Sequence, residues 1–271
     1  MIFVGLVAAV VLYRFLSVRL KITDAAFFCF GILLLASVAI GFVFAYLFQK
    51  FYDIIVNVTT GTDKPIDWKN GGVTFMGGLV GGVACFFIAS IISLRGENRR
   101  QIWNVTCLAP AAITAAHAFG RIGCFLAGCC YGKTTDSWIG VQFPGDNYKV
   151  IPTQLIEAVF LFHLCAVLLI LIFNRRYGLT MIIYLFSYSV FRFILEFYRG
   201  DPARGQFGGL WASQWQSIFM FLCAAALTVY IFAFKRIPFN GKQQGDLTKF
   251  LYEKEEPAPP QPVETEGKSG Q

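Results

Sequence analysis

AAFFCFGILLLASVAIGFVFAYLF, residues 25–48, runs without a charged side chain and without a polar face. At about 1.5 Å per residue it makes a helix of roughly 36 Å, enough to cross a hydrocarbon core of ~30 Å. A core helix of a soluble domain would alternate apolar and polar faces, so this stretch predicts a membrane span. Further apolar runs follow the same rule at about 2–18, 71–94, 103–119, 152–173, 179–198 and 212–234. Most are near the ~20 residues that cross a bilayer. The expectation is an all-α integral membrane protein with seven transmembrane helices over residues 1–238 and small extracytoplasmic loops. The first run has no basic n-region and no small-residue cleavage site, so it is not expected to be a removable signal peptide.

Composition excludes the soluble classes. Hydrophobic residues make up 56% of the 271 and charged residues 14%, with a mean hydropathy of +0.59, so the apolar surface must face lipid. The net charge of +7 does not indicate nucleic-acid binding, because the basic residues lie between apolar runs rather than in one basic domain. Short basic connections carry Arg14, Arg19 and Lys21, then Arg95, Arg99 and Arg100, then Arg175 and Arg176, then Lys235 and Arg236. These are expected in the cytoplasm. The connections near 49–70, 120–151 and 199–211 mix Lys or Arg with Asp and are expected outside, which puts the N-terminus outside and the C-terminus in the cytoplasm. From Gly241 the chain turns polar, with Glu253, Glu255 and Glu256 before a Pro-rich stretch ending at Pro262. Such a composition cannot bury enough apolar surface to fold, so 239–271 is expected to be a disordered cytoplasmic tail.

Several side chains break the apolar pattern. Gly77 with Gly81, and Gly78 with Gly82, stand four apart, a spacing that lets another backbone approach closely, either for helix packing or to form a substrate groove. Helical spacing aligns Tyr188, Arg192, Glu196 and Arg199 on one stripe among phenylalanines. Charges at membrane depth are costly and face the bundle interior, as a functional site or as a structural Arg192 to Glu196 pair. Arg121 follows the fourth run and reaches the same outer side. Arginine's planar fork suits a phosphate, and several arginines at the lipid interface suit an anionic phospholipid headgroup. His117, one turn before Arg121, is either a base or a packed hydrogen-bonder; His163, in mid-helix, is a weaker candidate.

Of the eight cysteines, Cys29, Cys85, Cys107, Cys165 and Cys223 stand alone in apolar runs, where cysteine behaves as a small hydrophobe. Cys124, Cys129 and Cys130 form a cluster readable as a disulfide, a thiolate site or close packing. No nearby histidine pair or second CxxC completes a metal-ligand set, so no metal is expected.

Gly120-Arg121-Ile122-Gly123-Cys124-Phe125, then Ile151-Pro152-Thr153-Gln154-Leu155-Ile156-Glu157, then Tyr188 through Asp201-Pro202, with the glycine-rich stretch 71–82, resembles the bacterial prolipoprotein diacylglyceryl transferase family. The resemblance covers about 71–220. It implies seven transmembrane helices with an outward-facing site, and transfer of the diacylglyceryl group of phosphatidylglycerol to the lipobox cysteine thiol of a prolipoprotein, presented by its signal peptide. It implies no metal and no cofactor. Arg192, Tyr188 and Glu196, with His117, are the catalytic candidates; Arg121, Gly132, Gln154, Arg199, Gly77 and Gly78 are the substrate-binding candidates. The sequence departs from the family at Met76, in place of its histidine, at Cys124, in place of its asparagine, and at Cys129, in place of its acidic residue. His117 is the candidate to stand in for the missing base. Two rival readings remain, a membrane thiol-disulfide oxidoreductase using Cys124, Cys129 and Cys130, and a non-enzymatic phospholipid-binding membrane protein.

Overall fold

A computed structural model of the protein describes residues 1–19, 24–60, 75–93, 102–174, 176–200, 206–207 and 209–234. The tail, Asp201-Pro202 and 71–74 lie outside the described residues. Seven helices are described: α1 (Ile2–Arg19), α2 (Asp24–Thr60), α3 (Phe75–Ser93), α4 (Ile102–Leu126), α5 (Thr153–Phe173), α6 (Tyr177–Glu196) and α7 (Ala212–Phe234). Five of them, α2 and α4 to α7, hold stretches long and apolar enough to cross a membrane, and α3 holds a shorter apolar helix, Val80–Ile92. Large apolar side chains such as Ile32, Leu35, Phe42 and Ile92 stand exposed along these helices. Such a surface is stable against lipid rather than water.

Two helices outrun their apolar stretches. α2 continues twelve residues past Phe48 to Thr60, through what reads as the start of an outer connection. Its polar end satisfies itself within the helix, with Gln49 Nε2 donating to Asp53 Oδ1 at 2.9 Å and Lys50 Nζ 3.9 Å from Asp53 Oδ2. α4 continues past 119 to Leu126, so Arg121 and Cys124 lie on the helix rather than after it. Asp24 stands in the first turn of α2, where the helix dipole favours an acid, and ties α2 to α1 through Arg14 at 2.7 Å.

α4 is the central strut. Cys107, Leu108, Ala111, Ala115 and Ala118 are buried along it, and their small side chains let neighbours approach. A side chain at Gly5 of α1 would meet the Ala116 carbonyl at 2.8 Å. The Thr180 hydroxyl of α6 donates to the Cys107 carbonyl at 2.6 Å, and the Cys165 thiol of α5 lies 3.3 Å from the Ala111 carbonyl. These bonds fix α5 and α6 on α4. Leu108, Leu161, Leu168, Ile172 and Tyr177 fill the space between them.

The connections beyond α4 and α6 form an irregular cap. Gly132 bridges Arg199, and Val150 bridges both Thr134 and Val141. Phe197 and Tyr198 leave α6 two residues before the apolar run ends, because the Tyr198 carbonyl accepts from the Lys133 amide at 2.9 Å. A hairpin of two-residue strands, β1 (Gln206–Phe207) with β2 (Leu210–Trp211), precedes α7; these strands and the isolated bridges of the cap are the departures from an all-helical fold among the described residues.

Candidate functional site

The C-terminal ends of α4 and α6 and the N-terminal ends of α5 and α7 converge beneath this cap. Helices that alternate direction place these four ends on one side, so residues far apart in sequence meet at a single depth.

Glu157, in the second turn of α5 and fully buried, lies at the first centre. Its Oε2 sits 3.0 Å from Arg121 Nε, its Oε1 accepts from the Tyr188 hydroxyl at 3.0 Å, and His117 Nε2 lies 3.6 Å from Oε1. Arg121 Nε–H donates to His117 Nε2 at 3.3 Å, which leaves Glu157 Oε2 held by charge alone. The His117 ring packs edge-on to Tyr188 at 5.4 Å. A buried carboxylate is costly unless paired; here α4 and α6 each supply it a partner.

The second centre lies one to two turns further along α6. Arg192 Nη2 is 2.8 Å from Glu196 Oε2, and Arg199 Nε is 3.9 Å from the same oxygen. Ser213, at the start of α7, closes the ring: it donates to Glu196 Oε1 at 2.9 Å and accepts from Arg192 Nη2 at 3.2 Å. Arg192 also acts electrostatically on His117 and Tyr188, so the two centres share one field. Together they hold three arginines against two glutamates. A net positive charge so largely removed from solvent attracts an anion. Arg192 Nη1 is buried and lacks a hydrogen-bond partner among the described residues.

Gly132 and Gln154 serve the site by holding its lid. A side chain on Gly132 would meet the Tyr198 carbonyl at 2.6 Å and Thr153 Cγ2 at 2.8 Å, so glycine is what lets the loop after α4 cross the end of α6. Gln154 Nε2 donates to the Cys129 carbonyl at 2.6 Å, and the Thr153 hydroxyl donates to the Cys130 carbonyl at 3.1 Å. Gly77 and Gly78 lie elsewhere: Gly77 faces Phe48 and Phe44, and a side chain on Gly78 would meet Ala45 and Gly41 of α2 at 3.2 Å. That geometry supports helix packing over a substrate groove at these glycines. His163 bonds the Val159 carbonyl of its own helix. The backbone of Met76 lies in the first turn of α3; its side chain is outside the described residues.

Sequence reasoning missed Glu157 and Ser213 as members of the site. Glu157 did carry a signal, as an acid inside an otherwise apolar run; Ser213 carried none.

The turn after α4 brings together cysteines that the chain spaces five and one apart. The sulfurs of Cys124, Cys129 and Cys130 all lie within 4.8 Å of one another, and no disulfide joins them. Partial desolvation, with Cys130 and Cys124 beside it, pushes the Cys129 thiol up to about 11. A thiol so weakly ionised is a poor redox nucleophile.

The sequence profile of the prolipoprotein diacylglyceryl transferase family matches residues 1–230. The chain is 38% identical over 165 residues to phosphatidylglycerol--prolipoprotein diacylglyceryl transferase 2 of Clostridium perfringens, a match covering 58% of this chain and 60% of that protein. It is 34% identical over 232 residues to the phosphatidylglycerol--prolipoprotein diacylglyceryl transferase of Clostridium tetani, covering 81% of this chain and 86% of that protein. The Cupriavidus necator enzyme of that name is 35% identical over 192 residues, covering 65% of this chain and 64% of that protein.

Proposed function

The chain belongs to the prolipoprotein diacylglyceryl transferase family, and from that premise we propose that it transfers the diacylglyceryl group of phosphatidylglycerol to the lipobox cysteine thiol of a prolipoprotein. One observation carries the reading: two neighbouring centres, Arg121 with Glu157 and Arg192 with Glu196 and Arg199, that hold three arginines against two buried glutamates, with Arg192 Nη1 lacking a partner among the described residues.

The reaction forms a carbon–sulfur bond and breaks the bond from the glycerol carbon to a phosphate oxygen. The electron pair leaves on that oxygen, and glycerol phosphate is released. Negative charge therefore builds on the phosphate in the transition state, and donors already in place stabilise it without reorganising. Arg192 supplies its unpaired Nη1, and Arg121 shares the charge. Glu196 and Ser213 hold Arg192 in orientation, while Tyr188 and Glu157 hold Arg121. The proton given up by the thiol goes to the departing phosphate oxygen, whose monoester has a second pKa near about 6. His117 Nε2 already accepts from Arg121 and lies 3.6 Å from Glu157 Oε1, so its geometry fits a positioning role. The signal peptide presents the thiol from the membrane beneath the cap.

The family and its relatives favour this reading over the thiol-disulfide oxidoreductase and the lipid carrier. In it the chain crosses the bacterial plasma membrane seven times, with residues 1–238 forming the membrane domain, the N-terminus outside, the site at the outer face, and 239–271 a cytoplasmic tail. Protease added to inside-out vesicles should then remove the C-terminus, and protection of it would overturn that orientation.

The deciding experiment places purified protein in vesicles with labelled phosphatidylglycerol and a lipobox peptide, beside Arg192→Ala. Transfer by the parent and a loss of about 100- to 1,000-fold in the variant supports the reading. Lipid binding without transfer by the parent overturns it in favour of the carrier.

A further inference from the structure

The reading above leaves the thiol cluster unused, although it is assembled with care. Cys124 sits in the last turn of α4, and Cys129 and Cys130 lie on the turn that follows. That turn is shaped by its backbone: the Cys129 amide donates to the Cys124 carbonyl at 3.1 Å, and the Gly128 amide donates to the Phe125 carbonyl at 3.0 Å. Gly128 takes a φ of +62° and Cys130 a φ of +65°. For cysteine, a side chain with a Cβ, that left-handed conformation is unfavourable and persists only where its surroundings impose it. Thr153 and Gln154 impose it, each 1% exposed and each holding a carbonyl of the cysteine pair. The turn and these two donors to its carbonyls thus bring the three sulfurs together.

We propose that Cys124, Cys129 and Cys130 form a binding site for one soft, thiophilic metal ion of the zinc kind. Their sulfurs lie within 4.8 Å of one another. Three thiolates around an ion at about 2.3 Å stand roughly 3.8 to 4.0 Å apart, so rotation of side chains closes the difference. Thiolate donors select ions of the Zn²⁺ and Cu⁺ class over Mg²⁺ and Ca²⁺. Cys129 is exposed, which gives the ion a way in and leaves a fourth position open to water. Binding replaces three thiol protons with the metal: three S–H bonds give three S–M bonds, and up to three protons pass to solvent. The loaded ion would cross-link the end of α4, three residues beyond Arg121, to the loop that carries Gly132.

Cobalt(II) is the probe, titrated into the reduced full-length protein in detergent, with zinc as competitor and magnesium as control. The expected result is one cobalt per chain, a sulfur-to-cobalt charge-transfer band in the near ultraviolet, and its displacement by zinc but not by magnesium. Cys124→Ser, Cys129→Ser and Cys130→Ser should each lower affinity at least tenfold, while Cys223→Ser, remote in sequence, leaves it unchanged. Cys129→His should keep binding with a weaker band, because imidazole replaces one thiolate; this variant also guards against loss through misfolding. The absence of a charge-transfer band in the reduced parent overturns the proposal, as does a band that survives removal of all three thiols. Because the readout needs neither lipid nor acceptor peptide, its failure is distinct from failure of the transferase reading.

Discussion

Two regions of the same helical bundle solve the problem of association in lipid by opposite means. Between α2 and α3 the contact is steric: Gly77 and Gly81 receive Phe48 and Phe44, and Gly78 rests on Gly41. Among α4, α5 and α6 the contact is electrostatic, with Glu157 binding Arg121, Tyr188 and His117 across three helices. Lipid tails are as apolar as the side chains, so burial alone does not drive helices together. The first region gains packing by removing side chains, and it carries no charge that a substrate could use. The second depends on charges that must be paired, and an incoming anion can compete for those charges. The difference teaches that the same device which holds α4 to α6 also makes them a site.

The largest effect expected is from Glu157→Ala. It leaves Arg121, whose side chain is 19% exposed, without its counter-charge, and breaking a pair with one fully buried member costs up to about 3–5 kcal/mol, the figure for a fully buried pair. Transfer should be lost together with stability, measured by thermal unfolding in detergent. Glu157→Gln, which keeps an acceptor for Tyr188, should recover part of the stability but little of the activity. If both variants unfold like the parent, the electrostatic half of the comparison fails.

Next comes Gly81→Leu, which drives a side chain into Phe44. Overpacking typically costs about 1–3 kcal/mol, so the unfolding transition should shift down. Catalytic turnover of the folded fraction should stay near that of the parent, since the α2–α3 contact carries no charge to the site. A fall in turnover with stability unchanged would mean that the glycine face meets substrate after all.

A smaller effect is expected at His117. His117→Gln keeps a hydrogen-bond acceptor for Arg121, so transfer should fall less than about tenfold, with no change in the shape of its pH profile. A general base would be worth about 100-fold or more, and a loss of that size would return His117 to the role of base.

The same contrast explains how much could be read in the sequence. The apolar helices were legible because lipid demands long apolar runs, and the fifth, 152–173, matches α5 to within a residue. The ends of α2 and α4 were not, because hydropathy falls at the first polar residue while the helix continues if that residue finds a partner. Asp53 pairs within its own helix, whereas Arg121 pairs with a residue thirty-six positions away. The stripe Tyr188, Arg192 and Glu196 was legible by helical spacing alone. Its attachment to Glu157 on α5 and Ser213 on α7 was not, since spacing along one helix says nothing about which face of another it meets. Gly132 is expected from the resemblance to bind substrate; what the structure gives it is the passage of one backbone over another, which is visible only in three dimensions.

The last effect concerns the thiol loop, which lies outside both regions and tests whether a partly exposed thiol cluster follows the rule of the buried one. Around Glu157, opposite charges are paired. At Cys129, Cys130 and Cys124 the neighbours are alike, and an anion on one disfavours an anion on the next. Partial desolvation, with these neighbours added to it, pushes the Cys129 thiol up to about 11, so its ionised fraction at pH 8 is of the order of one in a thousand, against about a quarter for an ordinary thiol near 8.5. Alkylation of the metal-free protein by iodoacetamide, followed at Cys129 by mass spectrometry, should therefore be about tenfold slower at pH 8 than at an unhindered cysteine, since the smaller thiolate fraction is partly offset by the greater nucleophilicity of a more basic thiolate. Its rate should rise about tenfold per pH unit, because the thiolate is the nucleophile and the raised pKa moves ionisation to higher pH. Cys130→Ser should bring the midpoint down, with no change in transfer. A midpoint near 8.5 in the parent would mean that the three thiols do not sense one another, and the loop would then differ in kind from the buried site rather than in sign.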